Sequence, residues 1–364
     1  MVAVQPYERI DVHSLLNTLS YLIIDESSLT QFKLRGKNKQ NINLSQQYSS
    51  IFKNLPEDFK QQCKKYDLNE DEVKEYIVFL QGIGYQFINI LAKGNYGFVI
   101  KASFKNEQIA IKIIEPKFGK DAIQLKIEYD LLTNIKNCQH ILQISNFLDV
   151  KLTNRTLFIF SELCQGNLTT LIEQKITKKQ IISIMIQLLL GLQELKQINV
   201  LHIDLKPENI LYDTSQNGKK FFIKIADFGQ SKQLQNKEYT YNLTRVGTPK
   251  YTSEVIFEFD EDDDSSKISY KSDIYSLGIV FIELMFGRRF NYQTEIRPLR
   301  RGNLDILNLR QKTQNRDFDQ IDDFLIEIVI KNMIQQKPES RKSSDELLNV
   351  IQKFCTQNFN EKIK

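Results

Sequence analysis

The sequence has no tryptophan, and only 7 prolines, 14 glycines, 4 cysteines and 3 histidines among its 364 residues. So little glycine and proline excludes a collagen-like fibre, and 41% hydrophobic residues excludes a wholly disordered chain. Cys63, Cys138, Cys164 and Cys355 stand far apart with no C-x-x-C pair. They offer neither a disulfide framework nor a zinc knuckle, and a reducing compartment is expected. His13, His140 and His202 form no local metal motif. A long hydrophobic run is also missing, since the longest, 181–192, is broken by Ser183 and Gln187. Glu8 and Arg9 stand where a secretory peptide would carry its apolar core. The expectation is an intracellular chain, cytoplasmic or nuclear, with no membrane span. Charge of one sign is scarce too: 49 Lys+Arg against 45 Asp+Glu leaves a net +4, too weak to announce nucleic acid or a membrane surface as partner.

What is present is enough chain for two or three compact units. Residues 1–84 read as helical pieces, with apolar positions at helical spacing in 14–24, 48–65 and 72–80. Asn69 followed by Glu72 resembles a capping box. Residues 35–47, rich in Lys, Asn and Gln, bury too little apolar surface to offset their ordering entropy and read as a flexible linker. From residue 85 the texture turns to β-type runs at 85–91, 98–103, 109–114, 142–148 and 156–162, with a helix pattern over 121–135. Beyond 165 the periodicity is helical at 180–197, 273–286 and 321–334, and two β-type runs within 210–225 flank the hairpin dipeptide Asn217-Gly218. A small β-rich lobe followed by a larger helical one is expected.

Chemistry enters at the glycine loop Ala92-Lys93-Gly94-Asn95-Tyr96-Gly97-Phe98-Val99, where backbone N–H groups without an intervening Cβ approach a phosphate closely. By itself the loop reads first as a plain tight turn. Lys112, inside the β-type run 109–114, by itself reads first as a solvent-face lysine. The set His202-Ile203-Asp204-Leu205-Lys206-Pro207-Glu208-Asn209, with Asp227-Phe228-Gly229 beginning 23 residues after Asp204, fixes several residue types at once.

With these motifs in this order, the chain resembles the eukaryotic protein kinase family over about residues 85–355. The resemblance implies an α+β, two-lobed fold, with a kinase domain over 85–358 behind a helical extension of 1–84. It implies ATP and Mg²⁺ as cofactors and protein serine or threonine hydroxyls as acceptors. Lys112 would hold the α and β phosphates and pair with Glu128. Asp227 and Asn209 would bind Mg²⁺, and Asp204 would accept the proton of the attacking hydroxyl. Lys206 matches the serine/threonine form of the loop, where it meets the transferring phosphoryl group. Ala92, Lys93, Gly94 and Gly97 would cover the phosphates, and Val99 and Ala110 would wall the adenine. Glu162 and Cys164 would meet adenine through backbone groups, with Ser161 as a small gatekeeper that leaves room for enlarged inhibitors. Thr248 would bond near Asp204 and Lys206, Asp273 would brace the catalytic loop, and Arg341 would pair with Glu254.

Three departures stand out. Ala92 replaces the first loop glycine. Ile203 replaces the arginine that in relatives reads a phosphate on the activation segment. The run Tyr251-Thr252-Ser253-Glu254 is one residue shorter than the family pattern. Two charge clusters, the acidic 258–264 and the basic Arg288, Arg289, Arg297, Arg300 and Arg301, read as solvated loops ahead of docking sites. An active serine/threonine kinase is the main reading, since Lys112, Glu128, Asp204, Asn209 and Asp227 are all present. A pseudokinase scaffold is the alternative, and a kinase of lipids or small molecules a third.

Overall fold

The computed structural model describes residues 55–94, 97–115, 138–151, 155–174, 176–234, 239–241, 247–253, 267–300 and 318–359. They fall into two compact units: residues up to 115 together with 143–163, and residues 138–142 together with 164–359. The helix expected over 14–24, the linker 35–47, the helix 121–135 with Glu128, and the acidic run 258–264 lie outside the described residues.

The first unit opens with α1 (Phe59–Lys65) and α2 (Glu70–Gly82). Asn69 starts α2: its side chain accepts from Asp71 N at 2.9 Å and Glu72 N at 3.4 Å, and the acids Glu70, Asp71 and Glu72 suit the positive end of the helix. A five-stranded antiparallel sheet follows, built from β1 (Gln86–Gly94), β2 (Gly97–Phe104), β3 (Glu107–Ile114), β4 (Ile144–Lys151) and β5 (Arg155–Glu162) in the order β1-β2-β3-β5-β4. Alternation assigns its faces. Ile100 and Ala102 of β2, Ile111 and Ile113 of β3, and Phe158 and Phe160 of β5 are buried in one core with Val73, Tyr76, Ile77, Phe79 and Leu80 of α2. Phe79 stacks on Phe158 at 5.0 Å, and Tyr85 lies between Phe104 and Phe160 at 4.5 and 4.8 Å. The helices before residue 85 therefore share the core of the sheet.

The second unit contains β6 (Gly166–Asn167), α3 (Leu168–Ile172), α4 (Lys178–Gln197), β7 (Val200–Leu201), β8 (Ile210–Thr214) and β9 (Phe221–Ile225). A reciprocal capping box between Thr177 and Gln180 starts α4, whose apolar face carries Ile181, Met185, Leu188, Leu192 and Leu195. β8 and β9 form the expected hairpin, with β6 on the outer edge of β8. Further on come β10 (Lys232–Gln233), β11 (Tyr239–Tyr241), β12 (Lys267–Ser269), α5 (Tyr270–Phe286), α6 (Arg297–Arg300), α7 (Gln320–Asn332) and α8 (Ser344–Phe359). α5 is buried from Ser272 to Phe286 and packs against α4 and α7, which makes it the centre of this unit. β11 pairs with β12, a ribbon that tethers the segment after Asp227 to the start of α5.

Candidate active site

On the first unit, antiparallel register sets the predicted nucleotide residues side by side. Val99 pairs with Lys112, and Ala110 pairs with Ser161. By alternation these four share the sheet face opposite the one that α2 covers. Ala92 pairs with Val99, and Gly94 with Gly97, so the glycine loop is a hairpin between β1 and β2. A Cβ on Gly97 would stand 2.0 Å from the Ile113 carbonyl oxygen, so only glycine fits beside β3. The Glu162 carboxylate accepts from Gln143 N at 2.8 Å, which fixes the end of β5. The Lys93 ammonium donates to Asp67 O at 2.6 Å and lies 3.2 Å from Asp67 Oδ2, which ties the end of β1 to the loop before α2.

On the second unit, residues 202–209 form a tight loop. Ile203 takes φ 70°, a left-handed backbone unusual for a β-branched residue. The fully buried Asp273 of α5 holds it there, accepting from His202 N at 2.9 Å and Ile203 N at 2.8 Å. Burial pushes the Asp273 carboxyl up, while His202 and the two backbone bonds act in the opposite direction. The Ile203 side chain packs with Leu201, Leu234 and Ile268 in an apolar cluster.

Four side chains then converge. Thr248 Oγ1 donates to Asp204 Oδ1 at 2.6 Å and accepts from Lys206 Nζ at 3.0 Å, while Lys206 Nζ lies 2.6 Å from Asp204 Oδ2. Asn209 Nδ2 donates to Asp204 O at 2.9 Å and to Asp204 Oδ2 at 3.1 Å. Gly247 delivers Thr248 with φ 88°, and a Cβ there would meet Thr252 Oγ1 at 2.6 Å. Ala226 connects this loop to the next motif: its N donates to Asn209 O at 2.9 Å, and its O accepts from His202 Nε2 at 2.9 Å. Asp227 follows with φ 64° and an exposed side chain, and Phe228 packs against the His202 ring at 4.9 Å. Cys164 sits half-buried ahead of β6.

A second polar cluster is absent from the sequence reading. Glu283, fully buried near the end of α5, accepts from Tyr251 Oη at 2.9 Å and Phe290 N at 2.7 Å, pairs with Lys250, and lies 3.2 Å from Arg289 Nε. Arg289 also reaches Tyr251 Oη at 2.6 Å and Glu208 Oε1 at 2.9 Å, tying the 204–209 loop to the segment after Thr248. Burial, reinforced by the Glu283 charge, pushes the Tyr251 phenol well up. Arg288 pairs with Glu295 at 2.6 Å. The solvated-loop reading of the arginine cluster is thus corrected for Arg288 and Arg289, which are bound by carboxylates; Arg297 is exposed, and Arg301 lies outside the described residues. Glu254, the partner expected for Arg341, is outside them as well; Arg341 donates to the carbonyls of Gln335, Lys271 and Gln336 at 2.7, 2.9 and 2.8 Å. Burial draws that guanidinium down to about 10, with Tyr275 and Glu339 acting in the opposite direction.

The antiparallel sheet lobe and the helical lobe define a two-lobed α+β protein. A family model described as "Protein kinase domain" matches residues 85–352, well over half of the chain. The probable serine/threonine-protein kinase fhkB of Dictyostelium discoideum is 34% identical over 174 residues, 46% of this chain and 14% of its own. The serine/threonine-protein kinase pakG of the same organism is 32% identical over 268 residues, 71% of this chain and 20% of its own. The serine/threonine-protein kinase nekl-2 of Caenorhabditis elegans is 27% identical over 280 residues, 73% of each chain. The chain thus spans a fifth or less of the length of fhkB and pakG. It belongs to the protein kinase family, whose members use ATP and Mg²⁺. Among the described residues no helix is long and apolar enough to cross a membrane.

Proposed function

We propose that the chain is an active protein kinase that transfers the γ-phosphoryl group of ATP to serine or threonine hydroxyls of protein substrates. The observation that carries this reading is the triangle of Asp204, Lys206 and Thr248. Both Asp204 carboxylate oxygens are held by donors, which orients the group to take a proton from an attacking hydroxyl. Lys206 is fixed between Asp204 and Thr248, where a stationary positive charge opposes the charge that builds on nonbridging oxygens. Lys112 holds the α and β phosphates with Glu128 as its partner, under backbone from Ala92 to Gly97. Val99 and Ala110 wall the adenine, Ser161 stands behind it, and the backbone at Glu162 and Cys164 meets its edge.

The residues at the metal position fit Mg²⁺. Asn209 spends its amide hydrogens on Asp204, which leaves Oδ1 as its acceptor, and Asp227 offers an exposed carboxylate. Both are hard oxygen donors of the kind Mg²⁺ takes alongside substrate phosphates, and the ion when bound neutralises phosphate charge. The test is incorporation of labelled phosphate from Mg²⁺·ATP into a generic basic protein and into the chain itself. Labelling that Asp204→Asn and Lys112→Met both abolish, on serine or threonine after acid hydrolysis, is the expected result. ATP binding without any labelling would overturn the reading in favour of a scaffold.

A further inference from the structure

Among the described strands the sheet order leaves β1 at an edge, with backbone groups that no other described strand pairs. Its register with β2 is broken between Phe87 and Asn89 and again between Ile90 and Ala92, which turns main-chain groups away from the ladder just before Gly94. Side chains from α1 and the turn after it take them up. Gln62 Oε1 accepts from Ile90 N at 2.8 Å, and Tyr66 Oη donates to Leu91 O at 2.9 Å. Lys93 Nζ donates to Asp67 O at 2.6 Å. Two side chains thus grip the main chain at residues 90 and 91, and the Lys93 side chain adds a third tie by reaching back to the Asp67 carbonyl, just ahead of the glycine hairpin.

The gripping helix is itself anchored. Phe59 and Cys63 are buried in the core of the sheet, and Phe59 meets Phe87 of β1 edge-on at 5.8 Å. Gln62 is oriented by its own bond from Nε2 to Asp58 Oδ1 at 2.8 Å. Asp67 takes φ 49° in the turn after α1, and its carbonyl meets Lys93 Nζ. None of these bonds belongs to the β1–β2 ladder, whose own pairs run from Gln86 to Gly94.

We infer that Gln62, Tyr66 and Asp67 are positioning residues that clasp β1 and set the height of the glycine loop, so that ATP affinity is controlled from outside the matched domain. This rests on the nucleotide role proposed above for residues 92–97. The clasp acts through β1 and touches no reacting atom, so its loss is felt in nucleotide binding more than in the chemical step.

The test uses the full chain and compares wild type with Tyr66→Phe, which deletes one hydroxyl, and with Gln62→Ala combined with Tyr66→Phe. Mg²⁺·ATP affinity is measured directly with a fluorescent ATP analogue, beside amide exchange over residues 90–98 and steady-state kinetics. The expected result is about fivefold weaker binding for Tyr66→Phe and roughly tenfold or more for the double variant. The KM for ATP should rise in parallel, the KM for the protein substrate should stay unchanged, and exchange at Ile90 should accelerate. Faster exchange at Ile90 with unchanged ATP affinity would overturn the proposal, as would equal rises in both KM values. A wild-type chain that binds no ATP would instead overturn the nucleotide reading, and the proposed link with it.

Discussion

Ile203 shows how one residue changes what its neighbours are asked to do. Its amide is held by Asp273 and its side chain is buried among Leu201, Leu234 and Ile268, so the position is fixed by packing and one carboxylate and carries no guanidinium to meet a phosphate. Alanine at Tyr239, Thr240, Tyr241 or Thr244 is therefore expected to change basal activity less than tenfold. Phosphate incorporation by each variant checks this, and a larger loss traced to a missing phosphate would count against it. Ser161 makes a second residue-level case. It is buried in β5 opposite Ala110, and its side chain is among the smallest available for that place. Ser161→Met should weaken adenine-site inhibitors that carry an added bulky group by at least tenfold while leaving ATP turnover within a few-fold. Inhibitor titration of the two proteins decides it.

At the scale of elements, α7 illustrates a helix start that titrates. Asp319 caps it in a reciprocal box with Asp322, and Lys178 lies 2.7 Å from the first and 2.6 Å from the second. The Lys178 ammonium, with help from the backbone N–H groups of the first turn, holds the Asp319 carboxyl below the usual carboxylate range despite some burial. A folded value below the unfolded one means that stability is present above the ordinary carboxylate range and is lost as pH falls through the folded value. Asp319→Asn should lower the melting temperature at neutral pH, and the gap from wild type should close in acid; a melting series from pH 7 to 3 tests both. Glu283 acts across three elements. Glu283→Gln leaves Lys250 and Arg289 without their buried counter-charge and should cost about 3–5 kcal/mol in denaturant unfolding.

These elements also mark what a sequence discloses. The strands at Ile109–Ile114 and the helix over 180–197 were legible because alternation and three-four spacing are local properties. The cluster of Asp204, Lys206 and Asn209 was legible because all three stand in one short run of sequence. Glu283 was not, since its partners at 250, 251 and 289 come from other segments and a glutamate among apolar neighbours gives no local signal. Arg289 was misread for the same reason: five arginines in a short stretch look solvated until a carboxylate from a different element meets one of them.

At the scale of the whole molecule, the helices before residue 85 decide whether the smaller lobe can stand. Phe59, Val73, Tyr76, Ile77, Phe79 and Leu80 are buried against the sheet, and full burial of such side chains is worth about 1.5–3 kcal/mol each. Their sum rivals the net stability of an ordinary domain, about 5–15 kcal/mol. A fragment of residues 84–364 should therefore be insoluble or inactive; a soluble fragment more active than the full chain would show that the leading segment inhibits instead.

The bonds from Gln62 and Tyr66 have one more effect. An edge strand with open amides and carbonyls is a template on which another polypeptide can add, the usual beginning of sheet-to-sheet aggregation. Along Ile90 and Leu91 those groups are already taken by side chains of the same chain. The protein thus blocks strand addition beside its glycine loop, and this protection would fail first wherever α1 is pulled away.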